Sequence, residues 1–166
     1  ISSSNAIIYC GADPHYIDVN ENTLGIDPYK LNDYLKKNTI NKSKKCINKK
    51  TKKIIKAIVI MHTYGHPAEI RKVIKIAKKY NLKVIEDAAE CIGSFYFKRH
   101  LGTFGDVGII SFNGNKTITT GAGGIILTND RKLAIQARHV THNSKLVSND
   151  QILHDKLGYN YRMSNL

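Results

Sequence analysis

Between Lys56 and Asp87 the sequence reads KAIVIMHTYGHPAEIRKVIKIAKKYNLKVIED, two apolar runs on either side of an amphipathic stretch. Continuous runs of β-branched residues, without polar alternation, are the pattern of strands covered on both faces. Between them Ile70, Val73, Ile74 and Ala77 fall on one helical stripe, and Asn81 suits a left-handed helix stop. Strand, helix and strand over 56–86 make a βαβ unit of ordinary length, for which a right-handed crossover is expected. This unit sets the frame for everything else in the chain.

Downstream, SFYF, DVGIISF and GGIILT read as further strands separated by glycine-rich turns, and a helix is expected from Asp130 to about His139. Upstream, Ala6 to Tyr9 and Tyr16 to Val19 read as short strands around the turn residues Gly11, Asp13 and Pro14. Asp27 is a good N-cap for a helix with Pro28 at its first position and Leu31, Tyr34 and Leu35 on one face. Helices alternating with buried strands predict an α/β fold, a three-layer α/β/α arrangement around a mostly parallel sheet. No repeat or low-complexity linker divides the 166 residues, about one domain's length.

Composition excludes several classes. Hydrophobic residues make up 42% and charged residues 23%, which rules out disordered and collagen-like chains. No apolar run approaches the ~20 residues of a membrane-spanning helix, and no signal peptide opens the chain. The net charge of +13 comes from one place: ten lysines lie between Lys36 and Lys56, and no Asp or Glu occurs between Asp33 and Glu69. That stretch has no Arg and no aromatic residue for base readout or stacking. It reads as a solvated excursion at about 36–56, with a weak site for an anionic partner as the rival reading. Cys10, Cys46 and Cys91 have no metal spacing, and an odd count without a secretion signal suits a cytoplasmic location. Cys10 and Cys91 lie in apolar runs and read as buried.

In open parallel sheets, ligands bind beyond the carboxyl ends of the strands. Asp87 follows one strand directly, and Asn113 to Lys116 follow another, so an acid and a lysine are expected at one rim. A lysine held there among glycines and small hydroxyl residues would be desolvated, able to present an uncharged amine for Schiff-base chemistry. Asp87 can hold a proton on a heteroaromatic nitrogen, while Ser111 and the amides of the turn around Gly121 can receive a phosphate. These are the parts that pyridoxal 5'-phosphate requires.

VIEDAAECIGSFYFKRHLGTFGDVGIISFNGNKTITTGAGGIILTND, residues 84–130, strongly resembles the core of the DegT/DnrJ/EryC1/StrS sugar aminotransferases, which have the aspartate aminotransferase (fold type I) architecture. The likeness extends through NAIIYCGADPHYIDVNENTLGIDP and HTYGHPAEI upstream and LGYNYRMSNL downstream. The resemblance implies that Lys116 forms the Schiff base with the cofactor and that Asp87 partners the pyridine nitrogen. It further implies that Ser111 contacts the cofactor phosphate and that Glu90 lies near the phenolic oxygen. Asn160 matches an asparagine that reaches the phosphate of the neighbouring subunit in family homodimers with shared active sites. In the family's dehydratases a histidine replaces the lysine, so Lys116 favours transamination. The implied reaction passes an amino group, with L-glutamate as donor, to a nucleotide-linked keto-sugar in the making of bacterial surface amino sugars. CINKKTKKIIKAIV and SFNGNK most resemble the branch that aminates C4 of nucleotide-linked 4-keto-6-deoxy-N-acetyl-hexosamines.

Family members are longer. The resemblance therefore implies that residues 1–166 are the central part of the cofactor-binding large domain. The N-terminal segment and C-terminal small domain would be absent, and the segment alone inactive. A rival of another class is a non-catalytic relative serving as a binding or dimerisation module, against which Lys116 and Asp87 argue. His62 and His66 bracket TYG, which breaks a helix, so they read as structural and not as zinc ligands. His139 and His142 read as helix-end residues favoured by the dipole. His100 is placed near the site by family geometry. Tyr159 and Tyr161 read as packing residues, and Arg162 as half of an ion pair or a contact to an anionic group.

Overall fold

The computed structural model describes residues 1–148 and 151–165. Helices α1 (Ser2–Tyr9) and α2 (Pro28–Asn38) precede three short strands, β1 (Thr39–Lys42), β2 (Lys45–Asn48) and β3 (Ile54–Ile55). The βαβ unit follows as β4 (Ala57–Met61), a one-turn 3-10 helix at Thr63–Gly65, α3 (Ile70–Tyr80) and β5 (Lys83–Asp87). A hairpin of two-residue strands, β6 (Phe95–Tyr96) and β7 (Arg99–His100), leads to β8 (Val107–Ser111) and β9 (Gly124–Leu127). Helix α4 (Arg131–Thr141) and a second hairpin, β10 (Lys145–Ser148) and β11 (Gln151–His154), complete the order.

The central sheet runs β4-β5-β8-β9, with the first two pairings parallel and β9 antiparallel to β8. The expected mostly parallel α/β sheet is therefore present. Pairing aligns Ile58 with Val84, and Ile60 with Glu86 and then Gly108, so these side chains share one face. That face packs on α3 through Val73, Ala77 and Tyr80 and on α2 through Leu31 and Leu35. Met61, Asp87 and Ile109 form the parallel row pointing the other way.

The helix boundaries follow their capping chemistry. Asp27 Oδ1 accepts from the amides of Tyr29 and Lys30 at 2.7 and 3.1 Å, and Asp130 caps α4 in the same way. Each such cap stabilises by about 1 kcal/mol. Asn81 ends α3 at φ 55°, ψ 43°, the left-handed stop its side chain tolerates.

Two upstream expectations are corrected. Residues 6–9 belong to α1 and not to a strand; a four-residue apolar run cannot by itself separate the two, and the polar Ser2–Asn5 form the helix's first turn. Residues 16–19 belong to no named strand and make one isolated bridge, Val19 to Ile26. Cys10 is exposed at the end of α1, whereas Cys46 and Cys91 are buried.

The lysine-rich excursion is an antiparallel sheet, β1-β2-β3, seated on the core by Cys46. Its β1–β2 turn receives the Asn81 side-chain amide at Lys44 O, and Lys83 N donates to Lys56 O at 2.9 Å. Both contacts lie where β4 and β5 begin. The lysines therefore gather at the end of the sheet opposite the rim where the strands finish. Among the described residues no helix is long and apolar enough to cross a membrane.

Candidate active site

Asp87 is the last residue of β5, and the chain turns immediately through Ala88, Ala89 and Glu90. Backbone bonds pin this turn to β8: Ala88 N donates to Ile109 O at 3.0 Å and Ser111 N to Ala89 O at 3.4 Å. Ser111 ends β8, and its Oγ accepts from Asn113 N at 3.2 Å, leaving the O–H to donate. The chain then turns again, Lys116 N bonding Asn113 O at 3.0 Å. From that turn Lys116 reaches back, and its Nζ lies 3.0 Å from Glu90 Oε1. Its side chain is only 18% exposed. Asp87, Glu90, Ser111 and Lys116 thus occupy one rim, as the topology of a parallel sheet requires.

Asn160 is elsewhere within the chain. It forms an antiparallel bridge with His142, is exposed, and its Oδ1 accepts from Arg162 Nε at 3.4 Å. Tyr159 and Tyr161 stack on each other with ring centroids 5.0 Å apart, and both are exposed. The segment then crosses the glycine-rich turn: Ser164 Oγ donates to Thr120 O, and a Cβ on Gly123 would meet Met163 Cα at 2.8 Å.

In that turn Gly121 N donates to Thr119 Oγ1 at 2.9 Å, so this amide is already engaged, and Phe112 N donates to Gly123 O at 3.0 Å. Ser111 remains as the hydroxyl able to meet a phosphate. The anionic-partner reading of the lysine stretch also separates from this site, because the stretch sits at the other end of the strands.

His100 is committed to its own loop, with Nε2 accepting from Gly93 N at 3.1 Å and Nδ1 2.5 Å from Leu101 O. His139 pairs with Asp155 at 2.7 Å, a partner the helix-dipole reading did not include.

Two residues that the sequence did not single out shape the rim. Ser3 Oγ, from α1, donates to Asp87 Oδ2 at 2.5 Å. Glu86 points to the opposite face and is fully buried against His62, with Nε2 to Oε2 at 3.1 Å. Because His62 Nδ1 accepts from Ala68 N, the ring proton sits on Nε2 and points at the carboxylate. Glu86 also collects the amides of Gly102 at 2.9 Å and of Phe104 and Gly105 at 2.6 Å each. Burial pushes the Glu86 carboxyl up, but the His62 and backbone hydrogen bonds outweigh it and hold it below the ordinary glutamate value. A carboxylate inside a buried strand was the available signal for this pair; nothing in the local sequence marked Ser3.

The family model for the DegT/DnrJ/EryC1/StrS aminotransferase family matches residues 1–166. GDP-perosamine synthase of Escherichia coli O157:H7 is 41% identical over 166 residues, covering 100% of this chain and 41% of that protein. A putative pyridoxal phosphate-dependent aminotransferase of Bacillus subtilis (strain 168), EpsN, is 33% identical over 166 residues, covering 100% of this chain and 40% of its own length. Among solved structures, Helicobacter pylori PseC, an aminotransferase involved in the biosynthesis of pseudoaminic acid, superposes with a TM-score of 0.80 at 26% identity. That match covers 97% of this chain and 39% of PseC. The chain spans about two fifths of the length of the curated relatives it matches.

Proposed function

Since the chain belongs to the DegT/DnrJ/EryC1/StrS aminotransferase family, we propose that the protein moves an amino group from an amino acid, L-glutamate, to a nucleotide-linked keto-sugar. Pyridoxal 5'-phosphate would serve as cofactor, and residues 1–166 would form the central part of its cofactor-binding domain. The observation that carries this reading is the approach of Lys116 Nζ to Glu90 Oε1, 3.0 Å, in the turn that Asp87 begins.

The donor set fits the cofactor: a primary amine, a carboxylate at a strand end and a hydroxyl with its proton to donate, all on one rim. When bound, the cofactor supplies an aldehyde for the amine and a ring that accepts electrons from a cleaved C–H bond. Lys116 Nζ is the amine that would hold the cofactor through its aldehyde, and when free it would serve as general base and then general acid for the donor's Cα proton. Glu90 Oε1 orients that amine and is within reach of its excess proton. Asp87 holds a proton on the ring nitrogen, and Ser111 Oγ donates to the phosphate. Asn160 acts across a homodimer interface, reaching the phosphate bound by the other subunit. The acceptor we favour carries its ketone at C4 of a 6-deoxy sugar.

The test combines trapping with turnover. Borohydride reduction of the protein with cofactor should attach the pyridoxyl group to Lys116, read by peptide mass, and Lys116→Ala should lose both the adduct and turnover. A panel of UDP- and GDP-linked 4-keto-6-deoxy sugars with glutamate should yield one aminated product by mass spectrometry. An adduct on another lysine, or turnover by Lys116→Ala, would refute the assignment.

A further inference from the structure

Ser3 and Asp87 are 84 positions apart, yet their side chains meet at 2.5 Å, the distance of a short charge-assisted hydrogen bond. The hydroxyl comes from the first turn of α1, on the sheet face that carries Asp87 and away from the α3 core. Ser3 itself is half-buried. The two carboxylate oxygens are treated unequally. Oδ2 takes the short bond from Ser3, whereas Oδ1 receives a longer one, 3.3 Å, from Ala89 N. The backbone carbonyl of Asp87 is held separately by His62 N at 3.1 Å. Three segments of chain therefore converge on this one residue.

An aspartate's terminal torsion is broad and roughly two-fold, so a carboxylate at a strand end without a side-chain partner would turn freely. A single strong donor on one oxygen selects one orientation. We propose that Ser3 is a positioning residue for Asp87, its hydroxyl fixing Oδ2 so that Oδ1 is presented to the protonated ring nitrogen of the cofactor. The inference rests on the role assigned to Asp87 above. Ser3 touches no reacting atom and acts only through the carboxylate.

The experiment titrates pyridoxal 5'-phosphate into the whole protein and reads two quantities: the dissociation constant from the visible band, and the circular dichroism of that band per bound cofactor. The second reports how the ring is held. Ser3→Ala removes the donor with little change in volume, and Ser3→Thr keeps it. Ser3→Ala should bind about tenfold more weakly, the low end for a hydrogen bond to a charged group, with altered dichroism. Ser3→Thr should restore both readings. Thermal melting without cofactor should fall by about a few degrees in Ser3→Ala, the loss of one hydrogen bond, and should recover in Ser3→Thr. Asp87→Asn and Lys116→Ala separate the two levels of the argument. If Asp87→Asn changes the band and Ser3→Ala does not, the Ser3 proposal fails by itself. If Asp87→Asn matches the wild type, or Lys116→Ala keeps the band, the assignment of the site fails with it. A Ser3→Thr protein as impaired as Ser3→Ala would also overturn the proposal, because the hydroxyl would then not be the operative group.

Discussion

Replacing Glu86 with glutamine perturbs the rim from beneath. Four N–H groups converge on its two oxygens: Phe104 and Gly105 amides on Oε1, and the Gly102 amide with His62 Nε2 on Oε2. Glutamine keeps one oxygen and turns the other into a donor, so two N–H groups face an NH2 whichever way the amide is set. Both partner side chains are 0% exposed, so water cannot substitute. Each stranded buried donor costs about 1–3 kcal/mol, and breaking a buried pair costs about 3–5 kcal/mol. Glu86→Gln should therefore cost about 3–5 kcal/mol, lowering a urea midpoint by about 2 M at an ordinary denaturant slope. The same residue sets a pH signature. Its folded-state value is depressed below the ordinary 4.5, so its stabilisation is complete above that value and is lost as pH falls through the lower, folded one. Urea unfolding of wild type and variant should differ fully at about pH 7, and the difference should shrink as pH falls below 4.5 through the lower, folded value. Equal midpoints at neutral pH, or a difference that does not shrink with acid, would refute the reasoning.

Gly108→Ala should cost about 3 kcal/mol or more, because its Cβ would stand 1.8 Å from Gly102 O and neither backbone can retreat; an unchanged melting temperature would contradict this. Asp27→Ala should remove the α2 cap at about 1 kcal/mol, read by chemical denaturation. Asn81→Ala should cost about 1–2 kcal/mol by placing a Cβ-bearing residue without a local polar group in the left-handed region, and Asn81→Gly should cost less. Thiol labelling of the native protein should modify Cys10, which is exposed, and spare Cys91, whose thiol burial and the nearby Asp87 charge push up to about 12. Fast labelling of Cys91 without denaturant would show that its loop opens.

The sequence made the βαβ unit legible because two periodicities, continuous apolar runs and a 3.6-residue stripe, point to the same layers. Helices α2 and α4 were legible from Asp27 and Asp130, whose side chains cap them as local chemistry dictates. Helix α1 was not, since four apolar residues after a run of serines satisfy either geometry, and the distant Asp87 that its Ser3 meets is invisible locally. The rim positions of Asp87, Ser111 and Lys116 follow from strand direction alone. The Ser3 hydrogen bond and the Glu86 clamp do not, because each joins segments whose approach is set by tertiary packing. Nor does strand direction reveal the fate of the Gly121 amide, which neighbouring Thr119 takes with its hydroxyl oxygen.

The lysine sheet has a practical corollary. Ten primary amines gathered at the strand beginnings form a handle on the pole away from the proposed chemistry. Coupled sparingly to an amine-reactive support, a large share of molecules would be tethered by that pole, which holds ten of the 21 lysines, and would present the rim at the strand ends to solution. Length changes between β1 and β3 would likewise alter the handle while leaving the business end untouched.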